Sequence, residues 1–287
     1  MSEVAAGIEP IQLEANGFTY SGLAAGPKDG ALALFLHGWP EFATSWSEML
    51  PKLGDAGYRA VAIDQRGYSS GARPPDISDY RIEDLVRDVL GFADGLERER
   101  FHLIGHDWGA IVGWYVASNH GDRLASYVSF ATPHPVALSE TRENDADQKQ
   151  RSAYVDIFRA PGNVAEKALL RDDAGALCAV YEGKFAPDHV GENVRRLREP
   201  GCLTAGLNWY RAFDFANARC GVVDVPTLYG WGSKDRALGE VAALRTAGYV
   251  TGPYTFERLE GVSHWIPCEI PDRATQLVRD HLAAHPL

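Results

Sequence analysis

The 287-residue sequence is poor in cysteine, with only Cys178, Cys202, Cys220 and Cys268. None is paired in a C-x-x-C, and no histidines accompany them at zinc spacing, which argues against a disulfide framework or a metal site and leaves ordinary reduced thiols. No apolar run is long enough to cross a bilayer. The opening residues, MSEVAAGIEP, carry neither the basic nor the apolar part of a secretory leader, so a cytoplasmic protein is expected. Positive charge is scarce as well: 28 Lys and Arg against 39 Asp and Glu give a formal charge of −11, which repels nucleic acid and anionic membrane surfaces. Internal repeats, low-complexity tracts and heptads are also missing. What remains is 45% hydrophobic and 23% charged, near the average of folded globular domains, and suited to a neutral small-molecule partner. No cofactor is implied.

From residue 10 to about 35, short apolar stretches separated by Asn16-Gly17, Gly26-Pro27 and Asp29-Gly30 read as strands on tight connections. The run Ala31 to Leu36 lacks polar alternation and suits a strand buried on both faces. A helical stretch from about Thr44 to Asp55 and a strand from Tyr58 to Ile63 follow. Ile82, Leu85, Val86, Val89, Leu90 and Ala93 then recur at helical spacing, with Asp79 placed to cap the helix and Glu83, Asp84, Arg87 and Asp88 on its outer face. Strands from Phe101 to Ile104 and from Ala125 to Ala131 flank a helix from Ala110 to Ala117, and Pro133 and Pro135 end that run. Between about Val136 and Ala218 the alternation stops and the segment turns charged and helical. It resumes with strands at Val225 to Tyr229 and Tyr254 to Leu259, and a last helix near Pro271 to Ala284. Alternating strands and helices predict an α/β protein with a mostly parallel twisted sheet covered by helices. The expected organisation is a core of 1–135 and 219–287 interrupted by a helical cap of 136–218.

The chemistry gathers around Gly105-His106-Asp107-Trp108-Gly109. Glycines flanking a central residue between a strand and a helix permit the strained turn that lifts one side chain above the sheet edge. Here that residue is Asp107. Alone, such an aspartate reads as a helix N-cap. Downstream, however, Asp235 in Gly-Trp-Gly-Ser-Lys-Asp and His264 in Gly-Val-Ser-His-Trp appear in the chain order nucleophile, acid, base that this turn implies. Each follows an expected strand, where open α/β sheets collect their functional loops. Upstream, His37-Gly38-Trp39-Pro40-Glu41 stands where a backbone N–H enters an oxyanion hole, with Trp39 and Trp108 as the two donors. Histidines 102, 106, 120, 134, 189, 281 and 285 have no comparable context and read as structural or solvated.

These motifs resemble the α/β-hydrolase-fold epoxide hydrolases, with haloalkane dehalogenases as close relatives, over essentially the whole chain. The resemblance implies the α/β-hydrolase fold and extends to the cap. There, Tyr154-Val-Asp-Ile-Phe158 and Leu207-Asn-Trp-Tyr210-Arg211 are similar to the segments bearing the two tyrosines that activate the epoxide. By that likeness Asp107 attacks the epoxide carbon, and His264, oriented by Asp235, activates water to cleave the resulting ester. Trp39 and Trp108 stabilise the oxyanion, and Tyr154 and Tyr210 protonate the opening oxygen. A mainly apolar or aromatic epoxide is expected, in a pocket that includes Phe42, Phe158 and Trp209.

The chemistry of the nucleophile fits this reading. Serine attacking an sp³ carbon would leave an ether that water does not readily cleave, whereas aspartate leaves an ester. A haloalkane dehalogenase would share Asp107, its histidine and its acid, but should lack paired cap tyrosines. Relatives that cleave fluoroacetate carry arginines just after the nucleophile, where this chain has Trp108 and Ile111. A non-catalytic receptor of the same fold would be expected to lose one of these groups, and all are present.

Overall fold

The computed structural model describes residues 7–287. The leader expectation rests partly on residues 1–6, which lie outside the described residues. The strands are β1 (Ile8–Ala15), β2 (Phe18–Ala25), β3 (Leu32–Leu36), β4 (Arg59–Ile63), β5 (Phe101–His106), β6 (Leu124–Phe130), β7 (Thr227–Gly232) and β8 (Tyr254–Leu259). They form one sheet in the order β1-β2-β4-β3-β5-β6-β7-β8. β1 and β2 make a hairpin across Asn16-Gly17, and β2 joins β4 antiparallel. All pairings from β4 to β8 are parallel. The core is thus an eight-stranded, mostly parallel sheet flanked by helices, as the alternation of strands and helices predicts.

Composition explains the layering. Every residue of β3, β4, β5, β6 and β7 is buried, so the unbroken apolar runs are those covered by helices on both faces. The helix Ile82–Gly95 turns Leu85, Val86, Val89, Phe92 and Ala93 inward. Asp79 does not cap it. That residue lies in a separate 3-10 turn, Ile77–Tyr80, and the helix starts after Arg81 with no side-chain cap. Asp88, expected on the outer face, is buried too. Arg66 from the loop after β4 grips it through Nε and Nη2 at 2.6 and 2.8 Å, a bidentate pairing that offsets the cost of burying both charges. The helix Trp108–Asn119 is buried from Trp108 to Ala117, which is why its sequence is apolar all round.

Between β6 and β7 the chain is helical from Pro135–Asn144 to Cys202–Ala212, with the stretch Val164–Val180 broken at Arg171 to Ala174, and it forms no strand among the described residues. Several side chains of this segment face the C-terminal ends of the core strands across a shared cavity. Among the described residues, no helix is long and apolar enough to cross a membrane.

Candidate active site

Asp107 directly follows β5 and starts the helix Trp108–Asn119 with φ 51° and ψ −117°, a conformation rarely taken by a residue with a side chain. The turn holds because its neighbours are glycines. A Cβ on Gly105 would come within 2.5 Å of the Gly109 carbonyl oxygen, and one on Gly109 within 2.1 Å of the Leu36 carbonyl oxygen. Gly38 is equally constrained, since a Cβ there would meet Asp107 Cβ at 2.4 Å. This close approach lets the Trp39 N–H donate to Asp107 Oδ1 at 2.7 Å.

The other carboxylate oxygen, Oδ2, lies 3.5 Å from His264 Nε2. His264 Nδ1 donates to Asp235 Oδ2 at 2.8 Å, while Asp235 Oδ1 accepts from the Ala237 and Leu238 N–H groups at 2.7 and 2.9 Å. Asp235 is therefore fully hydrogen-bonded in its buried position and keeps the imidazole in one orientation. Burial pushes the His264 pKa down, but the carboxylates of Asp235 and Asp107 outweigh it and hold the imidazole well above its ordinary range. Trp39, Asp107, Asp235 and His264 follow the ends of β3, β5, β7 and β8, and so meet at one edge of the sheet.

His106, read from sequence as structural or solvated, braces this site. Its Nδ1 pairs with Glu41 Oε2 at 2.8 Å, and its Nε2 donates to the His264 carbonyl oxygen at 2.9 Å, with all three residues buried. Burial pushes the Glu41 carboxyl up, yet the charge and hydrogen bond of His106 outweigh this and bring it down to about 2. Removing one partner of a buried pair strands the other, so Glu41→Ala should lower stability by roughly 3–5 kcal/mol in urea denaturation near pH 7. A carboxyl whose folded pKa lies below its unfolded value stabilises the fold above the unfolded value. The gap between the two proteins should therefore be full above pH 4.5 and shrink as the pH falls toward about 2.

Above Asp107 lies a cavity of about 230 Å³, walled by Trp39, Phe158, Val180, Ala237 and Trp265, with Tyr154 and Tyr210 among its lining and Arg151, Glu182 and Arg236 adding charge. Tyr154 begins the helix Tyr154–Arg159 and Tyr210 lies on Cys202–Ala212, with ring centroids 6.2 Å apart at 76°. Burial is the main cause that raises both phenol pKa values, well above the ordinary value for Tyr210. Two residues expected at the pocket are elsewhere. Phe42 is enclosed beneath Arg196, whose guanidinium carbon lies 3.7 Å from the ring centroid. Trp209 donates its indole N–H to the Arg66 carbonyl at 3.0 Å and packs edge-on against Trp108. Trp108 itself sits among Trp209, Tyr210, Phe213 and Phe215 behind the cavity wall. Among the described residues, no three His, Cys, Asp or Glu side chains are gathered as a metal ion would require.

A sharp strand-to-helix turn bearing a polar residue, with an acid and a histidine on later strand ends, defines an α/β-hydrolase-fold protein. The family model for the alpha/beta hydrolase fold matches residues 34–269. The chain is 32% identical over 283 residues to the AB hydrolase superfamily protein YfhM of Bacillus subtilis, covering 96% of this chain and 98% of that one. It is also 32% identical to epoxide hydrolase 3 of Xenopus tropicalis, over 95% of this chain and 77% of the relative. The crystal structure of epoxide hydrolase A from Mycobacterium thermoresistibile superposes with a TM-score of 0.86 at 29% identity, covering 98% of this chain and 99% of the other. The chain belongs to the epoxide hydrolases of the alpha/beta hydrolase fold family.

Proposed function

We propose that this enzyme opens epoxides to vicinal diols through an alkyl-enzyme ester on Asp107. The observation that carries the reading is the clamped carboxylate: Asp107 Oδ1 accepts from the Trp39 N–H and Oδ2 faces His264, below a cavity walled by two tyrosines. The relatives named epoxide hydrolases support the same activity. Segment 136–218 is read as a cap whose helices bring Tyr154 and Tyr210 over the nucleophile.

With Oδ1 held in the oxyanion pocket, Oδ2 is the attacking atom. A carboxylate is ionised at neutral pH and needs no base for this step. Tyr154 and Tyr210, kept protonated by their raised pKa values, donate to the epoxide oxygen and supply a proton as it becomes an alkoxide, a stronger base than a phenolate. His264 then removes a proton from water as that water attacks Asp107 Cγ, with Asp235 stabilising the imidazolium. The Cγ–Oδ2 bond breaks, the imidazolium protonates the departing diol oxygen, and the acid proton left on Asp107 returns to the tyrosinate. The N–H groups of Trp39 and Trp108 take the charge that develops on Oδ1, a role worth about 10² to 10³ in rate per donor. The aromatic walls and modest volume favour a compact, mainly apolar epoxide.

The decisive assay measures diol and halide release from parallel panels of aryl and alkyl epoxides and haloalkanes, with Asp107→Ala as the background control. Diol from the unmodified enzyme alone is the expected result. Halide release without diol would keep the nucleophile and remove the tyrosine argument. Silence in both panels would sink the reading.

A further inference from the structure

Among the contacts between cap and core, those of one short turn, Tyr181-Glu182-Gly183-Lys184, fall on three loops of the active site. Tyr181 donates its hydroxyl to the Pro40 carbonyl at 2.6 Å, directly after Trp39. Glu182 Oε2 meets Arg236 Nε at 3.1 Å, directly after Asp235. Lys184 Nζ donates to Glu269 Oε1 at 2.7 Å, and Glu269 Oε2 accepts from the N–H and hydroxyl of Ser263 at 2.9 and 2.5 Å, directly before His264. The turn has a defined shape: Glu182 and Gly183 take φ of 53° and 69°, and Lys184 N–H closes on the Tyr181 carbonyl at 2.9 Å. Left-handed backbone at a glutamate persists only where the surroundings over-determine it.

We propose that this turn is a positioning element that seats the loops of Trp39, Asp235 and His264. A clasp serving stability alone could grip the core anywhere along the boundary, whereas each of these contacts lies within one residue of a reacting group or reaches one through a single carboxylate. The contacts are unequal. Arg236 is 79% exposed, so its pair with Glu182 is screened and contributes little. Tyr181 is fully buried, and its ring also lies 5.8 Å from that of Trp265, next to His264. The Lys184–Glu269 pair is half-buried and fixes the segment that aims His264 at the ester. Tyr181 and Lys184 are therefore the positioning residues, Lys184 for ester cleavage and Tyr181 for the oxyanion loop.

The inference rests on the proposed reaction for the meaning of those loops, and its test separates the two. Lys184→Met, Lys184→Arg and Tyr181→Phe are compared by quench-flow mass spectrometry of ester formation and decay, by melting temperature, and by nitrogen NMR titration of His264. A small misplacement of a catalytic group costs orders of magnitude in rate, so Lys184→Met should slow ester decay about tenfold while formation stays within about twofold. The His264 midpoint should fall as its contact with Asp235 loosens, and Lys184→Arg should restore most of both. Tyr181→Phe, which removes one oxygen, should lower the overall rate by about tenfold and carries the same readouts if Lys184→Met does not fold. A lowered melting temperature with unchanged ester decay and an unmoved midpoint would overturn the proposal. If the unmodified enzyme forms no ester with any epoxide, the reaction reading fails by itself. The His264 midpoint then decides alone, its movement upholding the positioning role and its constancy ending it.

Discussion

Replacing His264 with glutamine should produce an enzyme that captures its substrate once and keeps it. Attack by Asp107 needs no base, because the carboxylate is already charged, so ester formation survives the change. Ester cleavage needs a proton taken from water, and glutamine cannot take it. Turnover should fall by about 10² to 10⁴-fold while a mass adduct equal to one substrate builds up on the peptide containing Asp107. An absence of adduct under saturating substrate would mean that the reaction is not covalent through this residue. The resting electrostatics add a pH signature in the unmodified enzyme. Burial lowers the His264 pKa, and Asp235 and Asp107 together raise it further than burial lowers it. Once Asp107 is esterified its charge is gone, and one of those raising contributions goes with it. Decay of the ester should therefore rise with pH through a midpoint below the one His264 shows in the free enzyme, as single-turnover decay against pH and NMR titration would reveal.

The parts of this site legible in the sequence are those whose geometry is local. Glycines at 105 and 109 are needed within one turn of the chain, so the sharp bend at Asp107 can be read from five residues. That Asp235 and His264 meet Asp107 could be anticipated because each lies a few residues past a recognisable strand, in an order that the turn implies. Tyr154 and Tyr210 were legible only through resemblance, since their meeting depends on how two helices cross. Partners distant in sequence were not legible at all. Asp88 has the spacing of an exposed helix residue and is buried because Arg66, 22 positions away, arrives to meet it. His106 meets Glu41 and the His264 carbonyl at separations of 65 and 158 residues. A signal was present nonetheless: His106 ends a strand that is buried along its whole length, and a polar side chain in such a place requires partners. Phe42 and Trp209 show the opposite error, because an aromatic beside a catalytic motif is as readily taken into the core as offered to a ligand.

The double variant Tyr154→Phe with Tyr210→Phe should nearly abolish activity, while Tyr210→Phe alone leaves a measurable rate. Both phenols line the cavity and both are kept in the donating form by burial, so either can hydrogen-bond an oxygen placed between them. Removing one leaves the other to carry the proton, and the loss is partial. Removing both leaves an alkoxide to form in an aromatic enclosure with no acid, at a cost of about 10² to 10⁴ in rate. The two changes should thus be strongly non-additive, as expected for groups that share one acceptor. The folds should survive. Tyr210 packs edge-on against Trp39 at 5.9 Å, Trp108 at 4.9 Å and Phe158 at 5.1 Å, contacts made by the ring, which phenylalanine keeps. Placing the tyrosine changes in the His264→Gln background makes the test sharper, since adduct growth on Asp107 then reports epoxide opening free of the hydrolytic step. Slow adduct formation in the double variant and intermediate rates in each single one would assign the tyrosines to the first half of the reaction. Equal and complete loss in each single variant would contradict shared activation, and an unchanged adduct rate in the double variant would move the acid to another group.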